Sequence, residues 1–384
     1  NVAVVFSRFD EFSKLMWGVD RAADVGTSAK LEALFGTDAA VVPGRIYGDI
    51  AAGTARRLTT PATTHPGDHL SHAAVADSLD WFGRTLQGGK PRALTDQIWL
   101  RKEIATGIAL AGIVPLLIGV FSVLLSLPPF APLRRSPEPR VRHRDRNWRR
   151  TFWLTALVPP LTLLPVFIAV TLWLPPSALL PQTVSTQVAA WMLVNAAIVW
   201  GLDRRQPPVP HVAPYWGRSA LLALCTAGFA YVLVAAVAAA FTVDLRFWVV
   251  ALKPLSAAQT RMLPVYLLPM LLFFVVSQRA LLGRLMVAGE APWRQTWVAV
   301  IALAGGFALL LGLDYALLFA TGRLPTGFDP LTTVIAIQFV PLLAALGIIA
   351  VACWRRTASA LPGALLSALL VAWYVVAGTA TQFG

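Results

Sequence analysis

Residues 331–353 read LTTVIAIQFVPLLAALGIIAVAC, a run of 23 residues without a single charged side chain. A helix that crosses the hydrocarbon core of a bilayer needs about 20 predominantly apolar residues, so this stretch predicts a membrane span. Pro341 lies inside the run. It is no objection, because neighbouring helices in a membrane can satisfy the backbone groups that a proline frees.

Comparable apolar runs recur between residue 104 and the end of the chain. Hydrophobic residues make up 57% of the 384 residues and charged residues only 13%, whereas a soluble domain has about 25% charged residues. The length criterion therefore predicts a polytopic, all-α membrane domain with eight spans, at 104–127, 151–175, 184–201, 218–242, 262–278, 295–320, 331–353 and 361–379. The aromatic-rich, amphipathic segment 244–259 is predicted to lie on the membrane surface or to be re-entrant.

Basic residues predict the orientation of this domain. Sixteen arginines fall in the odd-numbered connections between the spans, and four Arg or Lys residues fall in the even-numbered ones. Because short basic loops remain in the cytoplasm, we expect the odd connections inside and both chain ends outside. The first connection, 128–150, should be a solvated loop that also touches anionic lipid headgroups. The net charge of +13 is thereby attributed to membrane topology, and no nucleic-acid partner is expected.

The first 102 residues have another character, with nearly equal numbers of acidic and basic side chains. Strands are predicted at 1–6 and 57–62, and helices at 28–35 and 71–86, capped by Ser28 and Ser71. Strands that alternate with helices favour a parallel sheet, and hence an α/β fold for this region.

These patterns divide the chain into three parts: an α/β domain over residues 1–90, a linker over 91–103 and the membrane domain over 104–384. The chain opens directly on a strand-like run, Asn1 to Phe6, with no signal peptide. We therefore expect the α/β domain to be truncated at its N-terminus.

Polar residues follow both predicted strands. Asp10 comes after the first strand and His65 after the second, and the carboxyl ends of neighbouring parallel strands are where such sheets place their ligands. In a catalytic triad, the carboxylate fixes the tautomer of the imidazole, which takes a proton from a serine hydroxyl. Asp10 is therefore the candidate catalytic acid and His65 the candidate base.

Other interpretations of these residues compete. Asp10 could simply form a turn at the end of a strand, and Glu11 could be the acid in its place. His69 is the alternative base, and His72 is a weaker one inside the following helix. The spacing of the histidines and Asp68 matches no standard zinc ligand set, so no metal site is expected.

On these residues, the region resembles the C-terminal part of a bacterial α/β-hydrolase of the esterase and dienelactone-hydrolase-like kind. NVAVVFSRFDEF (1–12) resembles the strand and loop that carry the catalytic aspartate, and RLTTPATTH (57–65) resembles the last strand and the catalytic histidine. The helix at 71–86 resembles the closing helix of that family. YGDIAAGTARR (47–57) is similar to hydrolases that continue into a multi-span membrane domain.

The resemblance implies a membrane-anchored serine hydrolase that acts on small ester or peptide substrates without a cofactor. Its hydrolase part would lie outside the cytoplasm of a bacterial plasma membrane. No G-x-S-x-G motif occurs in the sequence, so the serine and the oxyanion hole are expected upstream of Asn1.

Two alternatives remain: a transporter with a regulatory soluble domain, and a non-catalytic scaffold with a degenerate hydrolase domain. Charged residues inside the spans are few, which disfavours transport. Asp314 is one of them, and we expect it to have a structural hydrogen-bonding role.

Overall fold

The computed structural model describes residues 1–90, 92–139, 141–206 and 215–382. Pro91, in the predicted linker, and Arg140, in the first basic connection, lie outside the described residues. The chain forms two compact units. The N-terminal unit contains residues 1–104 and 310–336, and the helical unit contains residues 105–309 and 337–384.

The N-terminal unit begins with short elements of both kinds. They are β1 (Val2–Val5), α1 (Ser13–Trp17), α2 (Ala29–Phe35), β2 (Ile46–Tyr47), β3 (Arg56–Thr59) and α3 (His72–Thr85). The strands form one sheet in the order β1-β3-β2, with β1 parallel and β2 antiparallel to β3. Short 3-10 helices at Ala22–Thr27 and Pro66–Leu70 connect the elements.

The predicted α/β fold class is wrong. Helix makes up 67% of the structure and strand only 5%, in two small sheets, and no substantial hydrolase sheet is present among the described residues. The pattern located β1, β3 and α3 correctly. It could not show how many strands join them, because strand pairing depends on distant segments rather than on local periodicity. The third strand, β2, has two residues and runs antiparallel.

The sheet of the N-terminal unit packs on an apolar core and on α3. Its fully enclosed core side chains include Leu31 and Leu58, together with Phe6 and Val25. Two capping predictions have different outcomes. The Ser71 hydroxyl caps α3 by accepting a hydrogen bond from the backbone of Ala74 at 3.2 Å. The Ser28 hydroxyl instead donates to the carbonyl of Trp17.

An ion pair attaches α3 to the sheet. The guanidinium of Arg57, on β3, pairs with Asp80 of α3 and also donates to the carbonyl of Asp77 at 2.7 Å. It lies over the ring of Trp81, 5.1 Å from the ring centroid. This bond lowers the pKa of the Asp80 carboxyl below its ordinary value.

Among the described residues, eight helices are long and apolar enough to cross a membrane. They are α4 (Trp99–Ser126), α5 (Arg146–Trp173), α6 (Thr183–Asp203), α7 (Trp216–Phe241), α8 (Ala257–Leu285), α9 (Pro292–Thr321), α10 (Pro330–Thr357) and α11 (Leu361–Gly378). Each coincides with one predicted span, so the prediction of eight spans is confirmed. The chain has the helices of an integral membrane protein.

Several boundaries differ from the prediction. Helix α4 starts at Trp99, inside the predicted linker, and α8 starts at Ala257, before the predicted span. The segment predicted as a surface-lying or re-entrant stretch forms a β-hairpin of β4 (Leu245–Phe247) and β5 (Val250–Leu252), followed by the start of α8. Its two-residue turn contains Trp248 at a φ of 54°. Leu245, Ala251 and Leu252 are buried and Phe247 is exposed, which fits a half-buried ribbon.

Candidate functional site

Backbone hydrogen bonds between the two parallel segments continue past the ends of strands β1 and β3. The amide of Phe6 donates to the carbonyl of Thr59, and that of Phe9 donates to the carbonyl of Thr63, at 2.9 and 3.0 Å. The two loops therefore leave the sheet side by side. This brings the residues that follow them, Asp10 and His65, into direct contact.

The Asp10 carboxylate is buried, with 2% of the residue exposed. Its Oδ2 lies 3.0 Å from Nδ1 of His65, and its Oδ1 accepts a hydrogen bond from the backbone of Phe12 at 2.8 Å. Both carboxylate oxygens are thus occupied, which fixes the carboxylate plane relative to the ring. An ionised Asp10 requires that Nδ1 carries a proton, which leaves Nε2 as the acceptor when the ring is neutral.

The imidazole of His65 is buried on one side only. Its side chain is 43% exposed, and its ring packs against Phe12 with centroids 4.7 Å apart. No described residue forms a hydrogen bond with Nε2. The hydrogen bond that His65 donates to Asp10 raises the pKa of His65, and partial burial opposes that rise. The ring can therefore accept a proton at its exposed nitrogen.

Glu11 holds the main chain of His65. Its Oε2 accepts a hydrogen bond from the backbone N–H of His65 at 2.8 Å, and its Oε1 accepts one from the hydroxyl of Tyr315 at 2.6 Å. Only 2% of Glu11 is exposed. Burial raises the pKa of the Glu11 carboxyl, and these two hydrogen bonds oppose the rise.

A third carboxylate, that of Asp68, also acts on His65. Asp68 accepts a hydrogen bond from the hydroxyl of Ser7, which is fully buried. Burial raises the pKa of Asp68, and the bond from Ser7 opposes it. An open cleft of about 280 Å³ adjoins Asp68, with mostly apolar walls formed by β1 and α3. Its lining residues are Val5, Asp68, His69, Ala74, Val75, Ser78, Leu79 and Phe82.

The structure separates the three candidate histidines. His65 pairs with Asp10. His69 lines the open cleft, and no described hydrogen bond joins its ring to a carboxylate. His72 contacts Gln97 through Nδ1 at 2.9 Å and packs on Trp99. The acid–base geometry is therefore found at His65 alone among these three.

Comparisons with known proteins give no relative of this chain. No family model, no curated protein and no solved structure matches it. The resemblance to hydrolases therefore depends on the residues of the site themselves.

Sequence reasoning missed the contribution of Tyr315. It is 304 residues from Glu11 in the chain, and it lies in a helix whose pattern signals only a membrane span. Glu11 is the alternative acid in the sequence, but in the structure its carboxylate accepts a hydrogen bond from the main chain of His65. Among the described residues, no group of three His, Cys, Asp or Glu side chains could hold a metal ion. Among the described residues, none forms a hydrogen bond with the Asp314 side chain, for which the sequence predicts a hydrogen-bonding role.

Proposed function

We propose that Asp10 and His65 are the acid and the general base of a membrane-bound serine hydrolase for ester or peptide bonds. The hydrogen bond of 3.0 Å between Oδ2 of Asp10 and Nδ1 of His65 carries this proposal. It leaves the exposed ring nitrogen available to a hydroxyl. The sequence contains no G-x-S-x-G motif, so the proposal assigns the nucleophile to a serine outside this sequence.

The chemistry requires a neutral imidazole. His65 takes the serine proton at Nε2 as the hydroxyl attacks the carbonyl carbon, and the resulting imidazolium returns a proton to the leaving group. Asp10 stabilises the imidazolium while it exists. Because Asp10 raises the pKa of His65, the base form increases as the pH rises through that raised pKa, and the rate should increase with it.

The acid–base assignment is tested in the full-length protein, in the membrane in which it is made. Hydrolysis of p-nitrophenyl esters is compared for His65→Ala, His69→Ala and the unaltered protein. We expect His65→Ala to lower kcat by a factor on the order of 10³ or more, and His69→Ala to retain most of the activity. Equal activity of the unaltered protein and His65→Ala would contradict the proposal and favour a non-catalytic scaffold.

The nucleophile is sought separately with a fluorophosphonate probe, which labels activated serines. Labelling followed by mass spectrometry of the full-length protein should identify one modified serine. Labelling should fall in His65→Ala, because the base that activates the hydroxyl is missing. Labelling that is the same in both proteins would exclude His65 as that base.

We also propose that the N-terminal unit lies outside the cytoplasm, in a bacterial plasma membrane. The excess of arginines in the odd-numbered connections supports this orientation. The residues that make up the N-terminal unit agree with the number of crossings, in either orientation. Residues 310–336, which include the connection between α9 and α10, cluster with residues 1–104. Six spans, α4 to α9, separate these two parts of the chain, and an even number of crossings returns the chain to the same side.

Single cysteines test the orientation after Cys225 and Cys353 have been replaced by serine. One cysteine replaces Thr326, in the connection between α9 and α10, and another replaces Ser136, in the first basic connection. A membrane-impermeant maleimide applied to intact cells should label the first and not the second. The reverse pattern would place the basic connections outside and overturn the proposed orientation.

A further inference from the structure

The carboxylate of Glu11 joins the loop of His65 to a helix long enough to span a membrane. One oxygen accepts a hydrogen bond from the backbone N–H of His65. The other accepts one from the hydroxyl of Tyr315, near the C-terminal end of α9. Residues 310–321 of α9 belong to the same compact unit as the site. The hydroxyl of Tyr315 is therefore part of the structure that supports His65.

Further contacts accompany this hydrogen bond. The rings of Phe9 and Phe319 meet edge to face, with centroids 5.2 Å apart. Phe319 lies one helical turn after Tyr315, so both side chains are on the same face of α9. The loop that carries Asp10 and Glu11 thus contacts this face through Phe9 and through Glu11.

A buried carboxylate is costly unless it is hydrogen-bonded on both oxygens. If stability alone mattered, an apolar side chain could fill the position of Glu11 at lower cost. The Glu11 carboxylate instead accepts a hydrogen bond from the backbone N–H of His65, the candidate base. Its negative charge also acts on the imidazole, since Glu11 is one of the acidic groups that raise the pKa of His65.

We propose that Glu11 and Tyr315 are positioning residues of the His65 site, through which the end of α9 holds the imidazole in place for proton transfer. Their effect on catalysis rests on the proposed function, whereas their effect on His65 itself does not. Ionisable groups that act on His65 are Asp10, Glu11 and Asp68. Those that act on Glu11 are Asp10 and Tyr315.

The proposal predicts the direction of two effects on His65. In Glu11→Gln, a negative charge is lost and the pKa of His65 falls. In Tyr315→Phe, Glu11 loses the hydrogen bond that opposes its raised pKa. The pKa of Glu11 then rises further, which weakens its negative charge beside His65, so the pKa of His65 falls again, by a smaller amount. In the double variant, Tyr315→Phe should add nothing to Glu11→Gln, because it acts only through the carboxylate.

The experiment follows His65 directly by NMR. The full chain is labelled at the histidine Cε1 and reconstituted in lipid nanodiscs, the His65 signal is assigned with His65→Ala, and its titration is recorded for each variant. Tyr231→Phe is the matched control, since it removes a hydroxyl that accepts a hydrogen bond from Leu255 in the helical unit. It should leave the titration of His65 unchanged. Unchanged titrations in both Glu11→Gln and Tyr315→Phe would overturn the proposal.

Kinetics give the second measurement. Tyr315→Phe should lower kcat by about tenfold with little change in KM, because it disturbs the base rather than substrate binding. The two hypotheses fail in different ways. A shifted His65 titration without any detectable hydrolysis supports the positioning role and refutes the hydrolase proposal. Hydrolysis with an unchanged titration and unchanged kcat in Tyr315→Phe refutes the positioning role alone.

Discussion

The Nδ1 atom of His65 lies 3.0 Å from Oδ2 of Asp10, although 55 residues separate the two in the chain. Parallel pairing of β1 with β3 explains this proximity, because both residues follow the carboxyl ends of paired strands. Hydrogen bonds from Phe12 to Asp10 and from His65 to Glu11 then hold the loops in register. The contact therefore results from backbone hydrogen bonding as much as from the charge of the two side chains.

Replacing Asp10 by asparagine should change both the rate and its pH dependence. The amide cannot stabilise an imidazolium, so we expect kcat to fall by a factor on the order of 10³ to 10⁴. The pKa of His65 should fall as well, since the bond to Asp10 is the main cause of its rise. The acidic limb of the pH–rate profile of the residual activity should then move to lower pH. Asp38→Asn, at an exposed loop position, is the control, and an unshifted limb in Asp10→Asn would contradict this account.

The ion pair between Arg57 and Asp80 should stabilise the N-terminal unit in a pH-dependent way. Asp80→Asn removes the charge next to the buried guanidinium of Arg57, and with it the partner of the half-exposed Arg84 on the same helix. We expect a loss of about 2 kcal/mol at neutral pH, mostly from Arg57. Full burial would make the loss larger, but the Asp80 side chain is 24% exposed. Because its folded-state pKa is lowered, the stabilisation is present above the ordinary pKa of an aspartate. It is lost as the pH falls through the lowered value.

Hydrogen–deuterium exchange of the full chain measures this loss. Peptides that contain β3 and α3 should exchange faster in Asp80→Asn than in the unaltered protein at pH 7. That difference should shrink at strongly acidic pH, after correction for intrinsic exchange rates. Asp77→Asn is a matched control on the same helix, because it keeps the backbone carbonyl that accepts from Arg57. An undiminished difference at low pH would exclude the ion pair as its cause.

Gly306 should not tolerate a larger side chain. A Cβ at this position of α9 would overlap the carbonyl oxygen of Ala156 and meet Pro160 of α5 at 3.0 Å. Pro160 has no backbone N–H to donate to that carbonyl. Membrane helices commonly associate through close approach at small residues. We expect Gly306→Ala to cost about 2 kcal/mol or more, seen as a lower thermal unfolding midpoint in detergent. Gly312→Ala, in the same helix but with open space around its Cβ, should unfold like the unaltered protein.

Trp191 should be important for packing in the helical unit. Its ring, less than 2% exposed, contacts Phe273, Phe307 and Phe339. Its Nε1 donates to the carbonyl of Pro159 at 3.0 Å. Trp191→Phe removes this donor and leaves a cavity, so we expect a loss of about 2 kcal/mol in the same thermal assay. Trp200→Phe is the control, because Trp200 is 54% exposed, and an equal loss there would show that packing around Trp191 is not the cause.

Part of the site could be predicted from local sequence. A strand followed by an acidic residue, and a second strand followed by a histidine, placed Asp10 and His65 at neighbouring strand ends. The same reasoning preferred His65 and left His69 as the alternative, because a shift of four residues changes the local pattern little. Only the hydrogen bonds of the folded loops separate them.

The sequence by itself determined the eight spans, because burial in a bilayer imposes the same apolar requirement on every residue of a span. It also determined the cap of α3, since Ser71 and its partner are three residues apart. Tertiary structure alone decided the small mixed sheet, the hairpin of β4 and β5, and the bond between Glu11 and Tyr315. These features join segments that are distant in the chain or depend on strand pairing, and no local periodicity encodes which partner a strand or a buried carboxylate will meet.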